Sequence, residues 1–244
     1  MLTPIIINKR ATDEAEKPFW ISFADLMTAL MVLFLVVMSV ALLAVTKTVS
    51  QQELLKQQRQ QDIEKILDEV QQAAKEYPGV TVDRDKDTID FGNQAQFDMG
   101  SYTLTPDQQK LLRAFVPKIL TIANDPLGAK WIKQIVVEGF ASPEGDYLYN
   151  LNLSLQRSQS VLCALFARPL PDETAMSTAS LEQIRDLFLV GGYSFNSAIY
   201  NASTNSYDQS RRVELRLEFL GLGESRATAP TSIGDNFGTC ALGN

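Results

Sequence analysis

The sequence predicts an α+β protein built of three parts in series: a single N-terminal transmembrane helix, a helical spacer and a C-terminal α/β sandwich. Three observations lead to this reading. An apolar run from Ile21 to Val45 holds one acid, Asp25, and no other ionisable side chain lies between Lys17 and Lys47. A Gln-, Glu- and Lys-rich stretch with sparse apolar residues follows. From Val80 to Phe219 strand-like and helix-like patterns then alternate. The parts divide as 1–17, a short N-terminal segment; 18–46, the span; 47–77, the spacer; 78–220, the domain; and 221–244, a tail.

The apolar run is long enough to cross a membrane. As a helix its roughly 25 residues measure about 37 Å, against a hydrocarbon core of about 30 Å. An Asp at the centre of a span costs about 2.5–3.5 kcal/mol, while each Leu, Ile, Phe or Val returns roughly 0.3–0.6, so the helix still inserts. The run is too long for the core of a signal peptide and lacks a small-residue cleavage site, which makes it a retained anchor. Lys9, Arg10 and Lys17 precede it and Lys47, Lys56 and Arg59 follow it. Charge alone leaves the orientation open.

At 100° per residue, Ser22, Asp25, Thr28 and Ser39 fall on one stripe of this helix, with Ala29, Val32 and Val36 between them. Ser and Thr can bond back to their own helix carbonyls, which accounts for them without any function. It does not account for Asp25. An acid inside a membrane faces a partner or a water-filled path.

In the spacer, Ile63, Ile66, Leu67, Val70, Ala73, Ala74 and Tyr77 recur at steps of three and four residues. They form a narrow apolar seam, read either as a solvated spacer or as a surface pairing with a second copy. Pro78-Gly79 ends the helix. Val80–Val82 and Thr88–Phe91 then read as a hairpin about the charges at Arg84–Asp87. Thr105-Pro106 starts a helix that runs to about Ile122, and Gln134–Gly139 reads as a buried strand. After a loop from Phe140 to Gly145, a long helix is expected over Asp146–Phe166, a short one over Leu181–Leu189, and a last strand over Arg212–Phe219. The sheet has helices on one face. The tail carries no periodicity.

Composition excludes several classes of function. A net charge of −7 with no basic cluster argues against nucleic acid as a partner. The absence of His removes His-based triads and His-ligated metals. With no nucleophile motif either, an enzyme is not expected, and no cofactor or metal is called for. Cys163 and Cys240 are far apart and in no metal-ligand spacing. They are a disulfide if the domain sits in an oxidising compartment, and otherwise a core thiol and a tail thiol.

Two segments carry a resemblance. Phe23-Ala24-Asp25-Leu26-Met27-Thr28-Ala29-Leu30-Met31 resembles the transmembrane signature of MotB-type stator subunits. Gly139-Phe140-Ala141-Ser142-Pro143-Glu144-Gly145, followed by Tyr149-Asn150, Leu153-Ser154, Arg157 and Val161, resembles the OmpA-like peptidoglycan-binding domain. So do Phe97–Ser101 upstream and Arg211–Glu214 downstream. Together they cover most of residues 19–220. The finer resemblance, which includes the extra Leu181–Asn201 segment, is to the MotB-like subunits of Zorya anti-phage defence systems.

The resemblance implies an ion-driven stator subunit in the inner membrane. Two copies would stand inside a ring of five MotA-like membrane subunits (ZorA in the defence systems). The N-terminus would be cytoplasmic and the OmpA-like domain periplasmic, a setting that favours a Cys163–Cys240 disulfide. Asp25, Thr28 and Ser22 would handle the ion, most simply H⁺, with Na⁺ left open by the two hydroxyls. Arg157, Ser142, Glu144, Asn150 and Arg211 would bind peptidoglycan. One departure matters: the family's carboxylate partner of the Arg is replaced by Ser142, so either Glu144 or Ser142 would take the ligand's ammonium while Arg157 forks to a carboxylate. The alternatives are a flagellar MotB subunit and a non-conducting tether between membrane and wall.

Overall fold

The computed structural model describes residues 16–169, 173, 175–227 and 237–242, with side chains from Trp20 onward. Lys9, Arg10 and most of the N-terminal segment lie outside the described residues, as does the middle of the tail. The chain divides into two compact units, one ending at Lys56 and the other running from Gln57. Helix α1, Glu16–Ala74, contributes to both.

In the first unit, α1 carries the apolar run. Every side chain from Trp20 to Lys56 is exposed. Among the described residues this is the one helix long and apolar enough to cross a membrane. An all-round apolar surface is what a lipid-facing helix presents.

The second unit is an α+β domain around one five-stranded sheet of order β1-β2-β5-β3-β4. Its strands are β1 (Thr81–Asp83), β2 (Thr88–Asp90), β3 (Ile132–Gly139), β4 (Phe188–Gly192) and β5 (Val213–Phe219). Four further helices accompany them: α2 (Pro106–Asn124), α3 (Pro126–Trp131), α4 (Tyr147–Phe166) and α5 (Thr178–Leu187). Neighbouring strands run antiparallel except β3 and β4, which are parallel. The expected hairpin forms as β1 and β2. Its turn is set by Asp83, whose carboxylate accepts from the backbone N–H groups of Asp85 and Lys86, and by Asp87 in the left-handed region at φ 55°. Thr105 and Gln108 close a capping box on α2.

Alternation along the strands separates two faces of the sheet. Ile89, Ile135, Val137, Val213, Leu215 and Leu217 enter the core with the buried faces of α2 and α4. Thr88, Asp90, Glu138, Glu214, Arg216 and Glu218 occupy the intervening, opposite-facing positions. This is the single helix-covered face expected.

Two expectations are corrected. The apolar seam of the spacer belongs to the domain's own core: Ile63, Ile66, Leu67 and Val70 are all buried there, Ile66 and Val70 completely. The last turns of α1 are held down by polar contacts as well. Arg59 Nε donates to the Leu220 carbonyl at 2.7 Å, and Trp131 Nε1 donates to Asp62 at 2.9 Å. The seam therefore serves intramolecular packing and not a helix pair, and the compact unit begins at Gln57, not at Pro78. Second, the helix expected over Leu181–Leu189 ends at Leu187, and Phe188–Gly192 forms strand β4. The disulfide favoured by the resemblance is present, and the tail is held at two further places. Cys240 is bonded to Cys163 on α4, Phe237 lies 5.1 Å from Phe166, and Arg226 donates to the carbonyls of Ile132 and Gly128.

Candidate functional site

On α1 the expected stripe is present. Asp25, Thr28, Ala29, Val32, Leu33 and Val36 line one shallow groove along the helix. Thr28 Oγ1 donates to the Asp25 carbonyl at 2.9 Å, and Ser39 Oγ to the Leu35 carbonyl at 2.7 Å. Both hydroxyl protons are thus used inside the helix, and each oxygen keeps acceptor capacity toward the outside. Ser22 lies one turn before Asp25. Asp25 is exposed and is the one ionisable side chain between Lys17 and Lys47, so any assembly or bilayer around it must provide for a carboxyl group.

In the domain, the candidate wall-binding residues gather where β3 ends and α4 begins. A Cβ at Gly139, the last residue of β3, would fall 1.9 Å from the Ser154 carbonyl oxygen. Only glycine allows α4 this close, and the close approach sets Arg157 beneath the loop that follows β3. Arg157 is completely buried. Its Nε donates to Ser101 O at 2.8 Å, Nη1 to Phe140 O at 2.8 Å and Nη2 to Asp98 O at 3.1 Å. Its guanidinium carbon lies 5.1 Å from the centre of the Phe97 ring. It makes no ion pair among the described residues.

Burial, and then the nearby positive charge of Arg211, push the Arg157 guanidinium down to about 10, with Tyr149 acting in the opposite direction. A buried cation held by carbonyl dipoles alone, beside a second cation, is a place where an anion is favoured. Arg211 is half-buried and donates from Nε to Phe97 O at 3.0 Å, which ties it to the same loop.

The other candidates separate into those the fold brings in and those it does not. Ser142 is buried in the loop after β3. Glu144 is exposed and makes no ion pair with Arg157 among the described residues. Asn150 is buried and donates to the Glu144 carbonyl at 3.0 Å; it braces the loop. Arg212, next to Arg211 in the chain, is no solvated edge residue. It is buried, paired with Glu214 at 2.6 Å, and lies 4.3 Å over the Phe140 ring. Sequence reasoning passed over Tyr149 and the three carbonyls that hold Arg157. The Phe97–Ser101 motif was the available signal for two of those carbonyls.

Residues 7–72 match the family model described as membrane MotB of the proton-channel complex MotA/MotB. The Zorya protein ZorB of Escherichia coli O139:H28 (strain E24377A / ETEC) is 46% identical over 224 residues, which is 91% of this chain and 89% of that protein. The chain belongs to the ZorB family. Its similarity to that ZorB therefore extends over both units. Among solved structures, a putative MotB-like protein from Desulfovibrio vulgaris is 18% identical with a TM-score of 0.41, over 67% of this chain and 96% of that one. The cell wall anchor of the T6SS from Pseudomonas aeruginosa is 20% identical with a TM-score of 0.37, over 59% and 91%. At those scores they add nothing to the topology described above.

Proposed function

We propose that this ZorB-family chain is the ion-driven stator subunit of an inner-membrane rotary motor, anchored to peptidoglycan and acting in anti-phage defence. The N-terminus is cytoplasmic, α1 crosses once and the domain lies in the periplasm. Two copies stand inside a ring of MotA-like subunits. The observation that carries this reading is Asp25: one carboxyl group on an apolar helix, on a stripe with Thr28 and Ser22, within the segment that matches the MotB family model.

The physics of the cycle rests on that group. A neutral carboxyl can sit against apolar ring helices, whereas an ionised one needs water or a polar partner. Alternating the two states on two helices steps the ring. One charge crossing 100 mV releases about 2.3 kcal/mol, enough to bias each step. Peptidoglycan bound near Arg157 and Arg211 keeps the pair still while the ring turns.

Asp25→Asn tests the reading. The variant is expected to be made and inserted normally but to abolish proton conduction and phage protection when expressed with its MotA-like partner. Full protection by the variant would leave only a tether. For the wall contact, Arg157→Lys keeps the charge and loses the planar fork. It and Arg211→Ala are expected to weaken pull-down by purified peptidoglycan, measured on protein that a cooperative thermal transition shows to be folded.

A further inference from the structure

The Arg157 site is built but shut. The guanidinium has no solvent exposure, although its three hydrogen bonds use one N–H on each nitrogen and leave one on Nη1 and one on Nη2. A single side chain spans the two loops that supply its carbonyls. A Cβ at Gly145, in the loop after β3, would lie 3.3 Å from Tyr149 Cδ1. A Cβ at Gly100, between Asp98 and Ser101, would lie 3.5 Å from the Tyr149 hydroxyl. The ring thus reaches from one loop to the other, resting at both ends on glycines in the left-handed region, φ +96° and +67°.

We propose that Tyr149 is a gate: its ring must swing off Gly100 and Gly145 before a carboxylate of the peptidoglycan stem peptide reaches Arg157. The identity of the ligand rests on the proposed wall-anchoring function; the gate itself rests on the geometry.

Tyr149 is suited to moving. Its side chain leaves from the first turn of α4, is 53% exposed, and its hydroxyl makes no hydrogen bond among the described residues. Swinging it outward gives up ring packing against two glycines and no polar contact. What it uncovers is a cation with free N–H groups and Arg211 alongside. An incoming carboxylate gains charge-assisted bonds only after the ring has moved. Closed, the gate keeps water off Arg157; open, it admits an anion.

Full-length protein in detergent micelles carries the test, as wild type, Tyr149→Ala and Tyr149→Phe. Two probes are used: phenylglyoxal, which modifies reachable arginines, with Arg157 followed by peptide mass mapping; and a soluble muropeptide carrying the diaminopimelate tripeptide. The apparent affinity of a gated site is reduced by the fraction of time it is open, so removing a gate open about a tenth of the time raises binding about tenfold. Tyr149→Ala is expected to react faster at Arg157 and to bind the muropeptide correspondingly better. Tyr149→Phe, which keeps the ring, is expected to match wild type in both. Equal Arg157 modification in wild type and Tyr149→Ala, at equal thermal stability, overturns the gate. Faster modification with no muropeptide binding by any of the three proteins upholds the gate and overturns the peptidoglycan reading instead.

Discussion

Arg216 on β5 donates from Nη2 to Glu138 Oε2 on β3 at 2.9 Å, and in the same pair Glu138 Oε1 and Arg216 Nε have no hydrogen-bond partner among the described residues. The pairing is uneven in exposure: the Glu138 side chain is 1% exposed and that of Arg216 is 41%. Glu138 also stands directly across from Glu214. Arg216 therefore neutralises a buried acid that has a second acid opposite it. Arg216→Met should strand Glu138 and cost about 3 kcal/mol, the scale for breaking a buried pair from one side. Adding Glu138→Leu should return most of that loss. Thermal unfolding of the two single variants and the double variant gives the coupling; additive effects would mean the pair does not act as a pair.

The disulfide ties residues 77 positions apart and pins the end of the tail to α4, where Phe237 rests against Phe166. Cys240 is exposed, so reductant reaches the bond in the folded protein. Removing a native disulfide of long separation typically costs about 2–4 kcal/mol. Dithiothreitol and Cys240→Ser should lower the unfolding midpoint by the same amount and should not add. A midpoint unmoved by either would mean that the tail contributes nothing to the domain.

How much of this was legible in the sequence depended on whether a residue's partner leaves a periodic trace. The stripe through Asp25 did, because helical spacing is fixed and the surrounding residues are uniformly apolar. The hairpin and β5 left a two-residue alternation, and α2 and α4 a three- and four-residue one. The seam from Ile63 to Ala74 announced that something covers it but not what; a helix pair and the domain's own sheet ask for the same spacing. Strand β4 was lost because Phe188 and Leu189 extend the apolar rhythm of α5 and the two glycines after them read as a stop. Its parallel register with β3 has no local signature. At the site, Arg157 was legible as a residue but not as a geometry. Its partners are backbone carbonyls, which any sequence supplies.

Because Ile66 is completely buried in the domain core, Ile66→Ala should cost about 2–5 kcal/mol, as large-to-small core changes do. The loss should be the same at every protein concentration. A seam used for pairing two helices would give an unfolding midpoint that falls on dilution, by mass action. Thermal scans of wild type and variant across a hundredfold dilution separate the two. A concentration-dependent loss would restore the paired helix.

Asp62 supplies the pH dependence of the same junction. The indole N–H of Trp131, and then the ammonium of Lys130 at 3.2 Å, hold its carboxyl below the usual carboxylate range, against the opposing effect of partial burial. A carboxyl whose folded value is depressed stabilises the fold above its unfolded value, about 4, and loses that contribution as pH falls through the folded value. Asp62→Asn keeps an acceptor for Trp131 and removes the charge. Its deficit against wild type should be about 1 kcal/mol at neutral pH, since hydrogen bonds to a charged group are worth more than neutral ones and the exposed Lys130 adds little. The deficit should shrink as the pH is lowered below about 4 and vanish once Asp62 is protonated in both states. Unfolding midpoints at pH 7, 5 and 3 measure it. A deficit that stays constant across that range would assign the contact to shape alone, and a deficit that grows in acid would reverse the sign of the linkage.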